Sequence, residues 1–150
     1  APPPGGLGGT YAGSPLGCAA ALAVLEVIAG EKLLERSLRI GELLQGRLRA
    51  LQLRFPVIGE IRGLGAMVAM ELVRNKDPAQ PEAELTRAVV QAAARHGLVI
   101  LSCGLYGNVI RFLAPLTIPD ALLSEGLDRL EAALAEVTAA AAAAPAQRIA

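Results

Sequence analysis

The sequence predicts a small α+β layer structure in which a short, mostly antiparallel sheet is covered by helices. The chain has 150 residues, of which 53% are hydrophobic, and this is enough for one domain with a buried core. Its apolar spacing changes along the chain from a helical period to a period of two and back. The runs of period two fall in neighbouring pairs around glycine-containing segments, which indicates antiparallel neighbours.

The first predicted helix covers residues 15–29. Ser14 favours the N-cap and Pro15 the first helical position, while Gly30 is typical of the position after a helix. The helix is apolar nearly all round, which predicts that it is buried on most sides. Because a domain of this size does not readily cover so much apolar surface, we expect further protein to pack against it.

A second helix is expected over residues 31–55, where Pro56 ends it. Its arginines fall mainly outside the apolar stripe and form either a solvated face or a docking surface. The stripe consists of Leu34, Leu38, Leu44, Leu48 and Leu51, and the arginines are Arg36, Arg39, Arg47 and Arg54.

Four short strands are predicted between residues 58 and 113. Residues 58–62 and 66–72 flank Gly63-Leu64-Gly65, which indicates a hairpin or a bulged bend. Residues 98–101 and 109–113 form the second pair, and the glycine-rich segment SCGLYGN separates them.

Two further helices complete the predicted elements. Residues 75–81 are an exposed loop by composition, and a helix over residues 82–96 follows, with Gly97 as its stop. Residues 138–150 are an alanine-rich tail that is expected to fray. The last helix has a one-sided apolar stripe formed by Leu123, Leu127, Leu130, Leu134 and Val137.

Composition and charge exclude several functions. Fourteen basic residues balance fourteen acidic ones and the aromatic residues are few and scattered, so no nucleic-acid partner is expected. The apolar runs are too short for a membrane span, and neither a metal-ligand cluster nor a nucleophile triad is present. Cys18 and Cys103 are isolated, which predicts small buried thiols in a reducing compartment; the expected location is cytoplasmic.

The segment GGLGGTYAGSPLG, residues 5–17, is the first candidate site. It matches neither a P-loop nor a dinucleotide-binding fingerprint. Glycines expose backbone N–H groups, Thr10 offers a hydroxyl, and the following helix begins nearby, so the segment suits a phosphate or a carboxylate. A plain flexible loop is the alternative.

Arg111 is the second candidate because it interrupts an apolar strand. By period two it shares a face with Val109 and Leu113, so it either lies on a solvated face or pairs with an anion. Its planar fork suits a carboxylate. His96 is interpreted as a residue at a helix C-terminus, and neither lysine of the chain has the apolar surroundings of a catalytic amine.

Four stretches resemble the class III pyridoxal 5′-phosphate (PLP)-dependent aminotransferases, and among them the 4-aminobutyrate aminotransferases most closely. The stretches are GGLGGTYAGSPLGCAAALAVLEVI, IGEIRGLGAMVAMEL, GLVILSCGLYGNVIRFLAPLTI and GLDRLEAAL, in this order. The resemblance covers residues 5–137 and implies the C-terminal portion of an α/β, fold-type-I homodimer. It assigns residues 1–30 to the end of the large cofactor-binding domain, with a phosphate loop and a buried helix, residues 31–137 to the small domain, and residues 138–150 to a tail.

The resemblance also implies roles for three residues. Thr10, with Gly9 before it, matches the threonine that binds the PLP phosphate in the neighbouring subunit's active site. Arg111 matches the arginine that binds a substrate carboxylate. The implied reaction moves the amino group of 4-aminobutyrate to 2-oxoglutarate and forms succinate semialdehyde and glutamate.

The Schiff-base lysine lies upstream in this family. We therefore expect this chain, which opens on Ala-Pro-Pro-Pro, to be a fragment that is inactive alone. The alternatives are another ω-aminotransferase, acting on 5-aminovalerate, β-alanine or ornithine, and a non-catalytic α+β module for dimerisation or anion binding.

Overall fold

The structure, a computed structural model, describes residues 3–6 and 8–143. The chain forms two compact units, of which the first ends at Arg36 and the second begins at Ser37. The elements in these residues are α1 (Pro15–Gly30), α2 (Leu33–Arg54), β1 (Ile58–Leu64), β2 (Met67–Leu72), α3 (Ala83–Arg95), β3 (Ser102–Cys103), β4 (Val109–Phe112) and α4 (Asp120–Ala143).

The strands form one antiparallel sheet in the order β1-β2-β4-β3, which confirms the predicted α+β layer. The predicted hairpin is present, since Leu64 pairs with Met67 across a two-residue turn. Gly65 in this turn has φ +54, a backbone conformation that glycine adopts without strain. The register shifts between Ile58 and Ile61, so the hairpin also contains a bulge.

The predicted strand at residues 98–101 is wrong. The edge strand β3 contains only Ser102 and Cys103, and residues 98–101 have no ladder partner. Leu98 and Ile100 pack against the core, whereas Val99 is 88% and Leu101 73% exposed. The period of two in residues 98–101 therefore indicates which side chains face the interior. The backbone of these residues diverges from β4 and does not pair with it.

One face of the sheet packs against helices. Val68, Met70 and Leu72 of β2 and Ile110 of β4 are fully buried in a core that they share with α2 and α4. The apolar stripe predicted for α4 is confirmed, with Val137 at its edge. The core residues of the two helices are Ile40, Leu44, Leu48 and Leu51 of α2, and Leu123, Leu127, Leu130 and Leu134 of α4.

Two members of the stripe predicted for α2 are not in the core. Leu34 is 74% and Leu38 56% exposed in this chain. The buried face of α2 continues from Leu44 toward the N-terminus through Gly41 and Ile40, because this face of the helix meets the β1–β2 turn. The sequence contains no large apolar residue at position 41 that would have indicated this.

The arginines of α2 pair with acidic residues of α4. Arg39 contacts Asp120 at 3.2 Å and Arg47 contacts Asp128 at 2.5 Å, while Arg54 pairs with Glu131. Partner numbers rise together along both helices, so α2 and α4 run in the same direction. The side chains of these three arginines are 38–69% exposed, so they lie on a solvated face, as one of the two interpretations predicts, and form ion pairs with α4 there. Each exposed pair contributes only ~0–1 kcal/mol.

Helix α1 confirms the predicted start at Pro15 and has no buried residue in this chain. Its apolar side chains are exposed on several sides, Leu16, Leu22 and Leu25 among them. The described residues do not bury this helix as predicted. Its contact with further protein stays a prediction.

Helix α2 packs so closely against the β1–β2 turn that the backbones of the two segments are in contact. A Cβ built at Gly41 would collide with the backbone carbonyl of Gly65. Ser37 Oγ, one turn earlier on the same face, accepts a hydrogen bond from the Ala66 N–H at 3.0 Å. This contact holds the turn against the helix and depends on the absence of a side chain at position 41.

The close approach makes Gly41→Ala destabilising. We expect the substitution to lower the free energy of unfolding by ~1–3 kcal/mol, because its methyl group displaces the turn. Gly46→Ala on the same helix is the matched control, since a Cβ there meets nothing within 4 Å. The control is expected to gain ~0.5–1 kcal/mol from the helix propensity of alanine. Urea denaturation measures both, and equal stability of the two variants would contradict the contact.

Helices α3 and α4 are tied together at the end of α3. His96 follows the last residue of α3, as predicted, and its Nε2 lies 2.9 Å from Glu136 Oε2. Arg95 NH2 donates to the other oxygen of Glu136 at 2.5 Å. The hydrogen bond from Arg95, followed by that from His96, lowers the pKa of the Glu136 carboxyl.

The lowered pKa predicts a pH-dependent contribution of Glu136 to stability. A carboxylate with a depressed folded pKa stabilises the fold above its ordinary pKa of about 4.3, and this contribution is lost as the pH falls through the folded value. We therefore expect Glu136→Gln to lower the melting temperature at pH 7, and the difference from wild type to shrink below about pH 4. Glu42→Gln, at an exposed position of α2, is the control and should leave the melting temperature unchanged. A difference for Glu136→Gln that persists at low pH would contradict the ion-pair account.

Candidate functional site

The glycine-rich segment forms two successive turns before α1. The Ala12 N–H donates to the Gly9 carbonyl and the Ser14 N–H to the Tyr11 carbonyl, both at 3.0 Å. Gly13 has φ +76, so the second turn needs glycine. Thr10 is exposed between these bonds, and its hydroxyl has no hydrogen-bond partner in the described part of the chain.

The N-terminus of α1 is open to an anion. Ser14 occupies the N-cap as predicted, but its side chain makes no capping hydrogen bond, and the first turn contains no acidic residue. The backbone N–H groups of a first helical turn are donors without intrahelical partners, which fits a phosphate. A Cβ at Gly9 would meet nothing within 4 Å, so packing within the chain does not require glycine at that position.

Arg111 lies in the second compact unit, on the sheet face that the helices leave uncovered. It pairs with Ala69 of β2 and is exposed. Of its predicted face-mates, Val109 is buried, whereas Leu113 lies beyond the end of β4 and is exposed. Among residues 3–6 and 8–143, Arg111 has no ion-pair partner. The described part of the chain therefore presents the Arg111 guanidinium without a carboxylate partner.

Arg111 borders an apolar groove of about 630 Å³. One wall is the unpaired segment 98–101 with β3, and the other is the stretch from Arg111 to Pro115. Residues of α4, Leu122 among them, close the groove. The sequence pattern does not reveal this groove, because the groove depends on the divergence of segment 98–101 from β4.

Asn108 fixes the start of the strand that carries Arg111. Its side-chain amide donates to the Leu72 carbonyl at 3.1 Å, and the Leu72 N–H donates to the Asn108 carbonyl at 2.8 Å. Asn108 is 5% exposed, so both polar groups are satisfied inside the protein. Gly104 and Gly107, with φ +84 and +65, bring the loop to this point.

Arg62 and two glutamates share the exposed sheet face with Arg111. Arg62 NH1 donates to Glu71 Oε1 and to Glu60 Oε2, each at 2.7 Å. The hydrogen bond with Glu71 is the main cause of the raised pKa of Arg62. Nothing in the sequence pattern singled out Arg62, because its role depends on cross-strand register.

The remaining titratable residues form no second centre in the part of the chain that the structure describes. No group of three His, Cys, Asp or Glu residues there is arranged to hold a metal ion. Cys18 is exposed, contrary to its predicted burial, and Cys103 is half-buried beside the groove. Lys32 and Lys76 are exposed. None of the described helices is long and apolar enough to cross a bilayer.

Comparison with known families decides the assignment. The family model for class III aminotransferases matches residues 1–134. This chain is a class III aminotransferase sequence. The resemblance drawn from the four stretches is confirmed, and PLP is the cofactor of this family.

Curated relatives of this class III sequence are named for aminotransferase activity on ω-amino acids. The 5-aminovalerate aminotransferase DavT of Pseudomonas aeruginosa is 60% identical over 83% of this chain and 29% of its own length. The 4-aminobutyrate aminotransferase GabT of Escherichia coli is 50% identical over 83% of this chain and 29% of its own length. The chain thus spans less than a third of these relatives.

Solved structures show the same fold. A PLP-bound amine transaminase from an uncultivated Pseudomonas species superposes with TM-score 0.77 and 36% identity, over 87% of this chain and 30% of that one. A Bacillus anthracis aminotransferase superposes with TM-score 0.75 and 34% identity, over 81% and 28%. The predicted fold class is confirmed.

Proposed function

We propose that this chain is the C-terminal portion of a PLP-dependent aminotransferase that moves the amino group of 4-aminobutyrate to 2-oxoglutarate. The observation that carries the proposal is that Arg111, which has no ion-pair partner among the described residues, borders an apolar groove in a chain of this family. The substrates all bear a carboxylate, and those of the ω-amino acid class add an apolar methylene chain. PLP, when bound, supplies the electron sink for the transfer.

Thr10 and Gly9 would hold the cofactor phosphate. The Thr10 hydroxyl is exposed and available, and the open N-terminus of α1 follows four residues later. Hydroxyl and backbone N–H donors at a helix N-terminus bind phosphate without a cationic side chain. The proposed site lies in the active site of a second subunit, which makes the enzyme a homodimer.

Arg111 would bind the substrate carboxylate. Its guanidinium presents parallel N–H donors that match the two oxygens of a carboxylate. Because β4 is held between β2 and β3, the backbone of Arg111 is fixed beside the groove. The amino group to be transferred lies at the other end of the substrate, so binding at Arg111 orients it.

5-Aminovalerate is the second candidate donor. Two relatives named for this substrate are 60% and 55% identical to the chain, compared with 50% for GabT. The two donors differ by one methylene, which a hydrophobic pocket distinguishes by only ~1–3 kcal/mol. Arg111 suits both.

The kcat/KM of the whole enzyme for 4-aminobutyrate and 5-aminovalerate tests the donor assignment. We expect 4-aminobutyrate to be preferred by about tenfold or more, the lower end of what one methylene confers. A preference for 5-aminovalerate of the same size would replace the proposed donor and leave the reaction class intact.

The catalytic lysine and the rest of the active site are proposed to lie outside this chain. Both lysines present, Lys32 and Lys76, are exposed and lack the apolar surroundings of a Schiff-base lysine. The chain alone is therefore expected to be inactive, and the cytoplasm is the proposed location of the whole enzyme.

Substitutions of Arg111 and Thr10 should separate the two binding roles. Arg111→Ala is expected to raise KM for 2-oxoglutarate by about tenfold to a hundredfold, since an ionic hydrogen-bonded contact is worth ~1.5–3 kcal/mol. Cofactor retention, measured by the absorbance of dialysed enzyme, should not change. Thr10→Ala is expected to weaken PLP retention and leave KM at saturating PLP nearly constant. Equal loss of both properties in either variant would refute the assignment.

A further inference from the structure

Glu71 lies between two arginines on the exposed face of the sheet. In the register, Ala69 of β2 pairs with Arg62 on one side and with Arg111 on the other. Glu71 is two residues further along β2, on the same face, and it is diagonal to both arginines. Diagonal positions are about 7–8 Å apart, within reach of long side chains. The backbone therefore places the carboxylate within reach of either guanidinium.

The structure shows which arginine takes the carboxylate. Glu71 Oε1 is 2.7 Å from Arg62 NH1, and Arg111 has no ion-pair partner among the described residues. Glu60 contacts Arg62 from the other side at 2.7 Å and holds the guanidinium at this end of the sheet. The Glu71 side chain is only 21% exposed, so water screens its charge less than that of a fully exposed carboxylate.

We propose that Arg62 is a positioning residue that keeps Glu71 away from Arg111, so that Arg111 stays available for the carboxylate of the substrate. The inference rests on the proposed role of Arg111. Without Arg62, Arg111 is the one cationic neighbour of Glu71 left on this face among the described residues. A substrate carboxylate must then displace Glu71 from Arg111. Displacing Glu71 lowers the affinity for the substrate and does not affect the reacting end of the substrate.

The test measures the inhibition constant of glutarate, a dicarboxylate without a transferable amino group or a keto group, together with KM and kcat for 2-oxoglutarate in the whole enzyme. Arg62→Gln is expected to raise the inhibition constant and KM by about two- to fivefold, the range of an exposed ion pair, with kcat unchanged. The double variant Arg62→Gln/Glu71→Gln should restore both constants. Arg87→Gln, an exposed arginine of α3, controls for loss of a positive charge and should change neither.

Restoration by the second substitution is the decisive result, because a merely structural role of Arg62 would not be repaired by removing Glu71. If Arg62→Gln leaves both constants unchanged, or if the double variant stays as weak as the single one, the proposal is overturned. Should Arg62→Gln prove too unstable to assay, Arg62→Lys gives the same comparison with a smaller expected rise. Arg111→Ala is run alongside: if it leaves glutarate inhibition unchanged, the proposed role of Arg111 fails independently of Arg62.

Discussion

Strand β2 pairs antiparallel with β1 on one side and with β4 on the other, and this double register determines both faces of the sheet. On one face it buries Val68, Met70 and Leu72 against the helices. On the other it aligns Arg62, Ala69 and Arg111 in one row. Because successive side chains alternate between faces, a shift of one residue would move the charges into the core. The core and the candidate site therefore depend on the same pairing.

Contacts outside the sheet support that register at its two ends. At the β1–β2 turn, Gly41 lets α2 meet the backbone, and Ser37 accepts the N–H of Ala66. Near the start of β4, Asn108 exchanges hydrogen bonds with Leu72 at the end of β2. Burying the amide makes its loss costly, so the position of β4 is well determined. The strand then presents Arg111 next to a groove that has little polar lining.

The local sequence pattern predicted most helices and strands, because these elements depend on residues close together in the chain. The Ser14-Pro15 start, the stop at Gly97 and the leucine stripe of α4 depend on residues within a few turns. The errors concern contacts distant in sequence: residues 98–101 alternate without a strand partner, and the exposed part of α2 depends on where the β1–β2 turn lies. The roles proposed for Thr10, Gly9 and Arg111 came from the family resemblance. The pairing of Arg62 with Glu71 needed the register, which one sequence does not reveal.

The central claim is that the register of β2 leaves Arg111 free to bind a carboxylate while Arg62 holds Glu71. A crystal structure of the whole enzyme with PLP and glutarate tests it most directly. The account predicts a glutarate carboxylate bound to the Arg111 guanidinium by two hydrogen bonds of about 2.7–2.9 Å, with Glu71 still on Arg62. Glutarate bound elsewhere, or Glu71 paired with Arg111 in the complex, would contradict it.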